Sequence, residues 1–288
     1  MRNLIYKTLN LISPVFNIVL KHRLRVLAYH DIVDPINFEK QIKWLKANYN
    51  LIDLPTLKEY LFQSKSLPAK SLLITFDDGD RSVFEHALPI FRKYQVPACL
   101  FVITDLIDSK KDFWWDTIKK NEAKSGLSNA EIMKIININK GSSNKDRLDF
   151  LKKYPVTQNH QLSTVEVKEL ILSGVYIGNH SHTHPMFDKL EKDELLEELQ
   201  NVHSFFDMNR IGDYSVFAYP NGNFSEDTEK LLMENNIKIA FLFDHKINER
   251  TINPLRISRI AVDSDNSMSE FKSKVSGLHS TITKMKKG

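Results

Sequence analysis

The sequence predicts an α/β fold: an irregular (β/α) barrel of seven or eight strands that carries a partly helical insertion. Three observations carry this prediction. Short apolar runs suited to buried strands alternate with amphipathic stretches at helical spacing. Seven or eight such units fill roughly 240 residues, the span a closed parallel sheet with covering helices needs. Polar and ionisable residues stand at the carboxyl ends of five runs, where parallel α/β folds collect their functional groups.

The elements follow in order. VLAY (26–29) reads as the first strand, and Phe38, Ile42 and Leu45 mark the helix after it. LLITF (72–76) is a second strand, followed by a helix near 82–94 that opens on the capping-box pair Ser82 and Glu85. ACLFVI (98–103) is a third. The rhythm then breaks over about 105–160, from FWWDTIKK to the polar stretch NKGSSNKDR, which predicts a partly helical insertion with a mobile tip near Gly141 to Asn144. Trp114 and Trp115 are expected to pack that insertion onto the barrel, with stacking on a ligand's rings as the alternative. Ser163 and Glu166 form a second capping box for a helix ended by Gly174. VYIG (175–178), a helix marked by Leu195, Leu199, Val202 and Phe206, and the strands VFAY (216–219), IAFLF (239–243) and ISRIAV (257–262) continue the series. A last helix is expected at about 269–286.

Composition narrows the function. The 288 residues are 42% hydrophobic and 26% charged, ordinary globular values, and the formal net charge is only +4. The basic residues are dispersed, which gives no nucleic-acid footprint. The one cysteine, Cys99, lies in an apolar run and reads as a buried, inert thiol. At the N-terminus LNLISPVFNIVL (9–20) is too short to span a bilayer and is broken by polar residues and Pro14. It has no clear signal-peptide cleavage site. Residues 1–23 therefore read as a helical or amphipathic segment that packs on the domain or makes peripheral membrane contact. The expected location is cytoplasmic or peripheral membrane, and residues 24–288 read as a single domain.

The strand ends hold the chemistry. His30 follows the first strand; Asp77 and Asp78 follow the second, before Gly79; His180 follows VYIG; Tyr219, Pro220 and Asn221 close VFAY; His245 follows IAFLF. NHSHTHP places three histidines in five residues. Two histidines with a carboxylate suit a divalent cation and leave positions open for water and substrate, as in catalytic rather than structural zinc sites. His182, between the outer two, is expected to point away.

TFDDG (75–79) together with HSHTH (180–184) resembles the first two motifs of the polysaccharide deacetylases with a NodB homology domain, carbohydrate esterase family 4. FAYPNG (217–222) resembles a variant of the third motif, and RISRIAV (256–262) is similar to a late strand of the same group. VLAYHDIVD and FWWD resemble members associated with surface-polysaccharide synthesis. The likeness spans about residues 24–265. It implies a NodB-like barrel and a metal-dependent deacetylase of an N-acetylated glycan or lipid-linked amino sugar. Asp78, His180 and His184 would hold the metal, Zn2+ by expectation with Co2+, Ni2+ or Mn2+ as substitutes, and Asp77 would be the general base. A backbone N–H near Tyr219 would meet the oxyanion, with Asn221 and His30 also at the substrate.

Two departures from the family pattern matter. The arginine that commonly opens the third motif is replaced by Ala218, and Arg259 is the candidate to orient the base in its stead, with a surface position as the alternative. The family's acid histidine in Leu-x-His is not found, since Leu278 and His279 are adjacent; His245 is the first candidate for the acid and His30 the second. Two other readings stay open: a catalytically silent carbohydrate-binding relative, and a TIM-barrel amidohydrolase built on His-x-His.

Overall fold

The computed structural model describes residues 6, 18–155 and 158–278. Among the described residues eight strands form one wholly parallel sheet: β1 (Arg25–Tyr29), β2 (Asn50–Leu51), β3 (Ser71–Phe76), β4 (Ala98–Val102), β5 (Val175–Asn179), β6 (Val216–Ala218), β7 (Ile239–Phe241) and β8 (Ile260–Ala261). Its order is β7-β6-β5-β4-β3-β1-β8, with β2 paired to β3 off this path. A parallel bridge between Phe241 and Ile257 joins the two ends of the path, so the sheet curls into the irregular barrel the sequence predicts.

Strand parity sorts the side chains into two layers. Val26, Leu73, Cys99, Phe101, Val216, Phe241 and Ile257 fill the barrel, joined by Leu54 and Leu57 of α2 (Leu54–Phe62). Cys99 is fully buried here, and burial raises its thiol pKa, as expected of an inert cysteine. The opposite parity, Leu27, Tyr29, Leu72, Ile74, Phe76 and Leu100, packs outward under the helices. Those helices include α1 (Pro35–Asn48), which buries Phe38, Ile42 and Leu45, α3 (Leu88–Tyr94), and α7 (Thr164–Leu172), whose Ser163–Glu166 capping box forms as predicted. Burying a parallel sheet on both faces is the usual solution for such apolar strands.

Several sequence expectations change. Ser82 and Glu85 make no capping box: Ser82 Oγ accepts from the Ile32 N–H at 2.8 Å, and Glu85 is held by Arg81. The segment Val83–Ala87 is a π-helical turn that leads into α3, and Pro89 in α3 has no N–H to donate to that turn. The late strand is far shorter than 257–262. Asn248 Oδ1 takes the Ser258 N–H and Asp244 Oδ1 takes the Arg259 N–H, so side chains replace the ladder there. The last helix, α10 (Met268–Ser276), ends at Gly277, whose φ of 88° caps it; residues 279–286 of the expected helix lie outside the described residues.

The insertion is more helical than expected. It holds α4 (Trp114–Lys124), α5 (Asn129–Gly141) and α6 (Asn144–Leu151). The predicted tip at Gly141 to Asn144 is a tight connection in which Ser143 Oγ caps α6 by accepting from the Asp146 N–H. Trp114, Ile118, Ile132 and Ile136 form its core together with Met186 from the barrel. Two later helices, α8 (Lys192–Asn209) and α9 (Glu226–Glu234), cover β5 to β7. Among the described residues no helix is long and apolar enough to cross a membrane, and most of the 1–23 segment lies outside those residues.

Gly212 follows α8 with a φ of +50°, and a Cβ there would sit 2.2 Å from the Ile177 carbonyl oxygen of β5. Gly212→Ala is expected to cost about 3 kcal/mol, through backbone strain and a clash with rigid backbone. Urea unfolding would show this as a lower midpoint with an unchanged slope.

Candidate active site

Strand β3 sets the first part of the site. Leu73 and Thr75 point into the barrel, and the same parity carries Asp77, whose N–H continues the ladder to Tyr29 O at 2.9 Å. Asp78 would then face outward, but its φ of 69° and the φ of 76° at Gly79 turn the chain and return its carboxylate to the mouth. The bend therefore starts at Asp78 itself, one residue before Gly79. His180 and His184 approach from the loop after β5, where Ser181 and His184 also hold left-handed backbones (φ 69° and 56°). Asn179 Oδ1 accepts from the Ser181 N–H, and Ser181 Oγ accepts from the His184 N–H, which fixes this loop. His182 turns aside to Thr104 Oγ1, as expected.

Asp78, His180 and His184 converge, with one potential ligand atom from each within 4.8 Å of the others. Asp78 Oδ1 lies 3.2 Å from His180 Nε2 and 3.4 Å from His184 Nε2, yet it is buried and accepts no well-aligned hydrogen bond. Three donors that converge without satisfying one another fit a cation, and the mixed nitrogen and oxygen set suits zinc and its neighbours. His180 Nδ1 faces the Ala218 carbonyl at 2.9 Å, which leaves Nε2 for the centre. Burial presses on every group here. It lowers His184 to about 3 despite the attraction of Asp78. It also works against a charged His180, but Asp77 and Asp78 outweigh it and raise that pKa. Burial opposes the ionised form of Asp78, and His180, His184 and His30 together hold its pKa below the ordinary value.

Arg259 is fully buried, not a surface arginine. Its Nη1 and Nη2 donate to the two Asp77 oxygens at 2.6 and 2.7 Å, its Nε donates to Leu242 O at 2.7 Å, and Nη1 also reaches Thr75 Oγ1 at 3.2 Å. The rings of Phe101, Phe241 and Phe243 lie within 6.0 Å of its guanidinium carbon. Burial alone would raise the Asp77 pKa, but Arg259 and then His180 lower it, so the carboxylate is held ionised.

These groups open onto one cavity of about 300 Å³, lined by His30, Asp77, Asp78, His180, His184 and Asn221. Phe243 also lines it and meets the His30 ring edge-on at 5.3 Å. Two predicted site residues are not brought in. His245 does not line the cavity; its φ of 58° turns the chain after Asp244, and its ring packs edge-on against Phe243 at 5.0 Å. Tyr219 is buried against Phe217 and Phe224, and its N–H donates to Phe241 O at 3.0 Å, so it cannot serve as an oxyanion donor. Asn221, at φ 56°, is the residue of that turn that reaches the cavity, and its N–H has no acceptor among the described residues.

The insertion supplies lining that sequence reasoning missed, Lys119, Met133, Ile136 and Lys140, and it brings Trp115, the alternative stacking residue, beside His184 at 4.7 Å. Trp115 is thus a cavity wall, whereas Trp114 packs the insertion as expected and donates from Nε1 to the His184 carbonyl.

The family described as polysaccharide deacetylase matches residues 64–240. The poly-β-1,6-N-acetyl-D-glucosamine N-deacetylase of Staphylococcus aureus is 25% identical over 245 residues, 81% of this chain and 68% of the relative. Among solved structures, a Streptococcus pyogenes deacetylase, PplD, in complex with acetate is similar with a TM-score of 0.65 at 18% identity, over 88% of this chain and 98% of that one. IcaB from Ammonifex degensii is similar with a TM-score of 0.63 at 19% identity, over 88% and 96%. These structural likenesses bear on the fold.

Arg259→Met is expected to lose about 3–5 kcal/mol, because it strands Asp77 as an unpaired buried charge. The double variant Asp77→Asn with Arg259→Met should recover much of that loss. Chemical denaturation of the wild type, both single variants and the double variant closes the cycle.

Proposed function

The chain belongs to the polysaccharide deacetylase family, and from that premise we propose that it is a metal-dependent hydrolase that removes the N-acetyl group from an amino sugar in a glycan or lipid-linked saccharide. The bond it cleaves is a carbon–nitrogen bond other than a peptide bond. One observation carries the reading: a carboxylate kept ionised by a buried arginine shares a cavity with three converging metal-type donors. An acid, a base and a cation site at one mouth are what amide hydrolysis needs.

Asp78, His180 and His184 would hold the cation, Zn2+ by the nature of the donors. When bound, it supplies Lewis acidity for the amide carbonyl and makes water more acidic. Asp77 is the general base that takes the proton of the attacking water. Each of its oxygens carries one Arg259 bond and keeps a lone pair for this task. Arg259 is a positioning residue that takes the place of the arginine missing from the third motif. The Asn221 N–H, rather than the one at Tyr219, meets the carbonyl oxygen as negative charge develops on it. His30 is the general acid in place of His245: it lines the cavity and is oriented by Phe243. It delivers a proton to the leaving nitrogen as the C–N bond breaks, and the products are acetate and a free amine.

The name of the Staphylococcus aureus relative supports an N-acetylglucosamine polymer as the first substrate to test. Asp77→Asn is expected to retain metal at wild-type stoichiometry while acetate release falls by about 10²–10⁴-fold. Elemental analysis alongside an acetate assay checks both halves, and unchanged acetate release would sink the base assignment. His184→Ala and Asp78→Asn should each lose metal and activity together. Chelation should abolish turnover, and added Zn2+ should restore it; no acetate with any divalent metal would favour a silent carbohydrate-binding relative.

A further inference from the structure

The insertion brings two lysines to the cavity wall, and they are not equivalent. Lys119 Nζ lies 2.7 Å from Asp116 Oδ1 on the same helix, so its charge is met locally. Lys140 Nζ donates to the neutral side-chain oxygen of Asn221 at 2.8 Å and forms no ion pair among the described residues. An ammonium carries three donors, so two remain unspent. The side chain is only partly exposed. Burial lowers its pKa, with Asp78 opposing and Lys119 adding to the effect.

The surroundings sharpen the point. Asp77 and Asp78 also line the cavity, and their charge would repel an anionic substrate. Asp77 is compensated by Arg259; Asp78 attracts Lys140 across the cavity but forms no ion pair with it among the described residues. The position of Lys140 in the last turn of α5 gives it some support from the helix end. That explains tolerance of a cation there, not its turn towards the cavity. Beside it, Trp115, Met133 and Ile136 provide an apolar wall for the face of a sugar ring.

We propose that Lys140, backed by Lys119, selects substrates in which an anionic group, a phosphodiester or a carboxylate, adjoins the N-acetylated sugar. The inference rests on the deacetylase reading of this cavity and names the substrate class within it. On meeting the anion, the ammonium exchanges or shares its bond to Asn221 for a charge-assisted one.

The test measures acetate release from three oligosaccharides: a neutral β-1,6-linked N-acetylglucosamine oligomer, one bearing a phosphodiester next to the N-acetylated sugar, and one in which that sugar adjoins a uronate. The wild-type kcat/KM for one of the anionic substrates should exceed that for the neutral oligomer by about tenfold or more. The arm that shows the preference identifies the anion. In Lys140→Gln the ratio of anionic to neutral kcat/KM should fall about tenfold, and Lys140→Arg should restore it. Calorimetric binding of the same three sugars to Asp77→Asn reads the preference without turnover. Acetate release from none of the three would count against the deacetylase reading, and the binding preference would still decide this one. A wild type that favours the neutral oligomer would overturn the proposal. So would a Lys140→Gln variant whose kcat/KM falls equally for all three, since Lys140 would then only prop the Asn221 turn.

Discussion

The ion pair between Arg259 and Asp77 is the constraint on which the site depends. It joins β3 to the chain just before β8, and Arg259 also holds the Leu242 carbonyl after β7. The guanidinium thus ties together three segments at the top of the barrel, close to the Phe241–Ile257 bridge. An arginine is suited to this because its planar fork matches both carboxylate oxygens and tolerates three aromatic neighbours, which a lysine would not do. Desolvating two charges is costly, so such a pair is weak evidence for stability by itself. Its value here is orientation: the carboxylate has one position and one protonation state.

The insertion is the second organising element. It is fastened to the loop of His184 through the Trp114 bond to the His184 carbonyl and the burial of Met186 in its core. At its other end Lys140 bonds Asn221, which bonds Asn223, which bonds Asp188. The three helices therefore brace two of the loops that bring groups to the cavity, those after β5 and β6, as well as walling one side of it.

Much of this was legible in the sequence, and the reasons are local. Parity along LLITFDDG, the short spacing of HSHTH and the apolar runs are short-range signals, and strand ends collect polar groups in any parallel barrel. What stayed open or escaped was long-range. Arg259 was a candidate beside the base with a surface position as the alternative, because it is 182 residues from Asp77 and only parity just before a strand of two ladder residues turns it inward. Lys140 is 81 residues from Asn221, and its approach needs three helices to pack first. The Tyr219 N–H was misjudged because its engagement depends on the pairing of β6 with β7. His245 was misjudged because the turn at that residue has no strong sequence signature. Ser82 and Glu85 had the spacing of a cap, but tertiary partners claimed both side chains.

The left-handed backbones at Asp78, Ser181, His184 and Asn221 gather around one cavity. Such a conformation costs a side-chain-bearing residue about 1 kcal/mol, less for asparagine and aspartate. The mouth of the barrel is therefore held out of its most comfortable geometry by the sheet and the insertion around it. An engineer who selects this protein only for heat resistance would be rewarded for relaxing the turns at Asp78, His184 and Asn221, but not at Ser181, where glycine would strand the buried His184 N–H. Robustness and catalytic alignment pull in opposite directions at those three positions, and a screen that scores only the former would drift away from the latter.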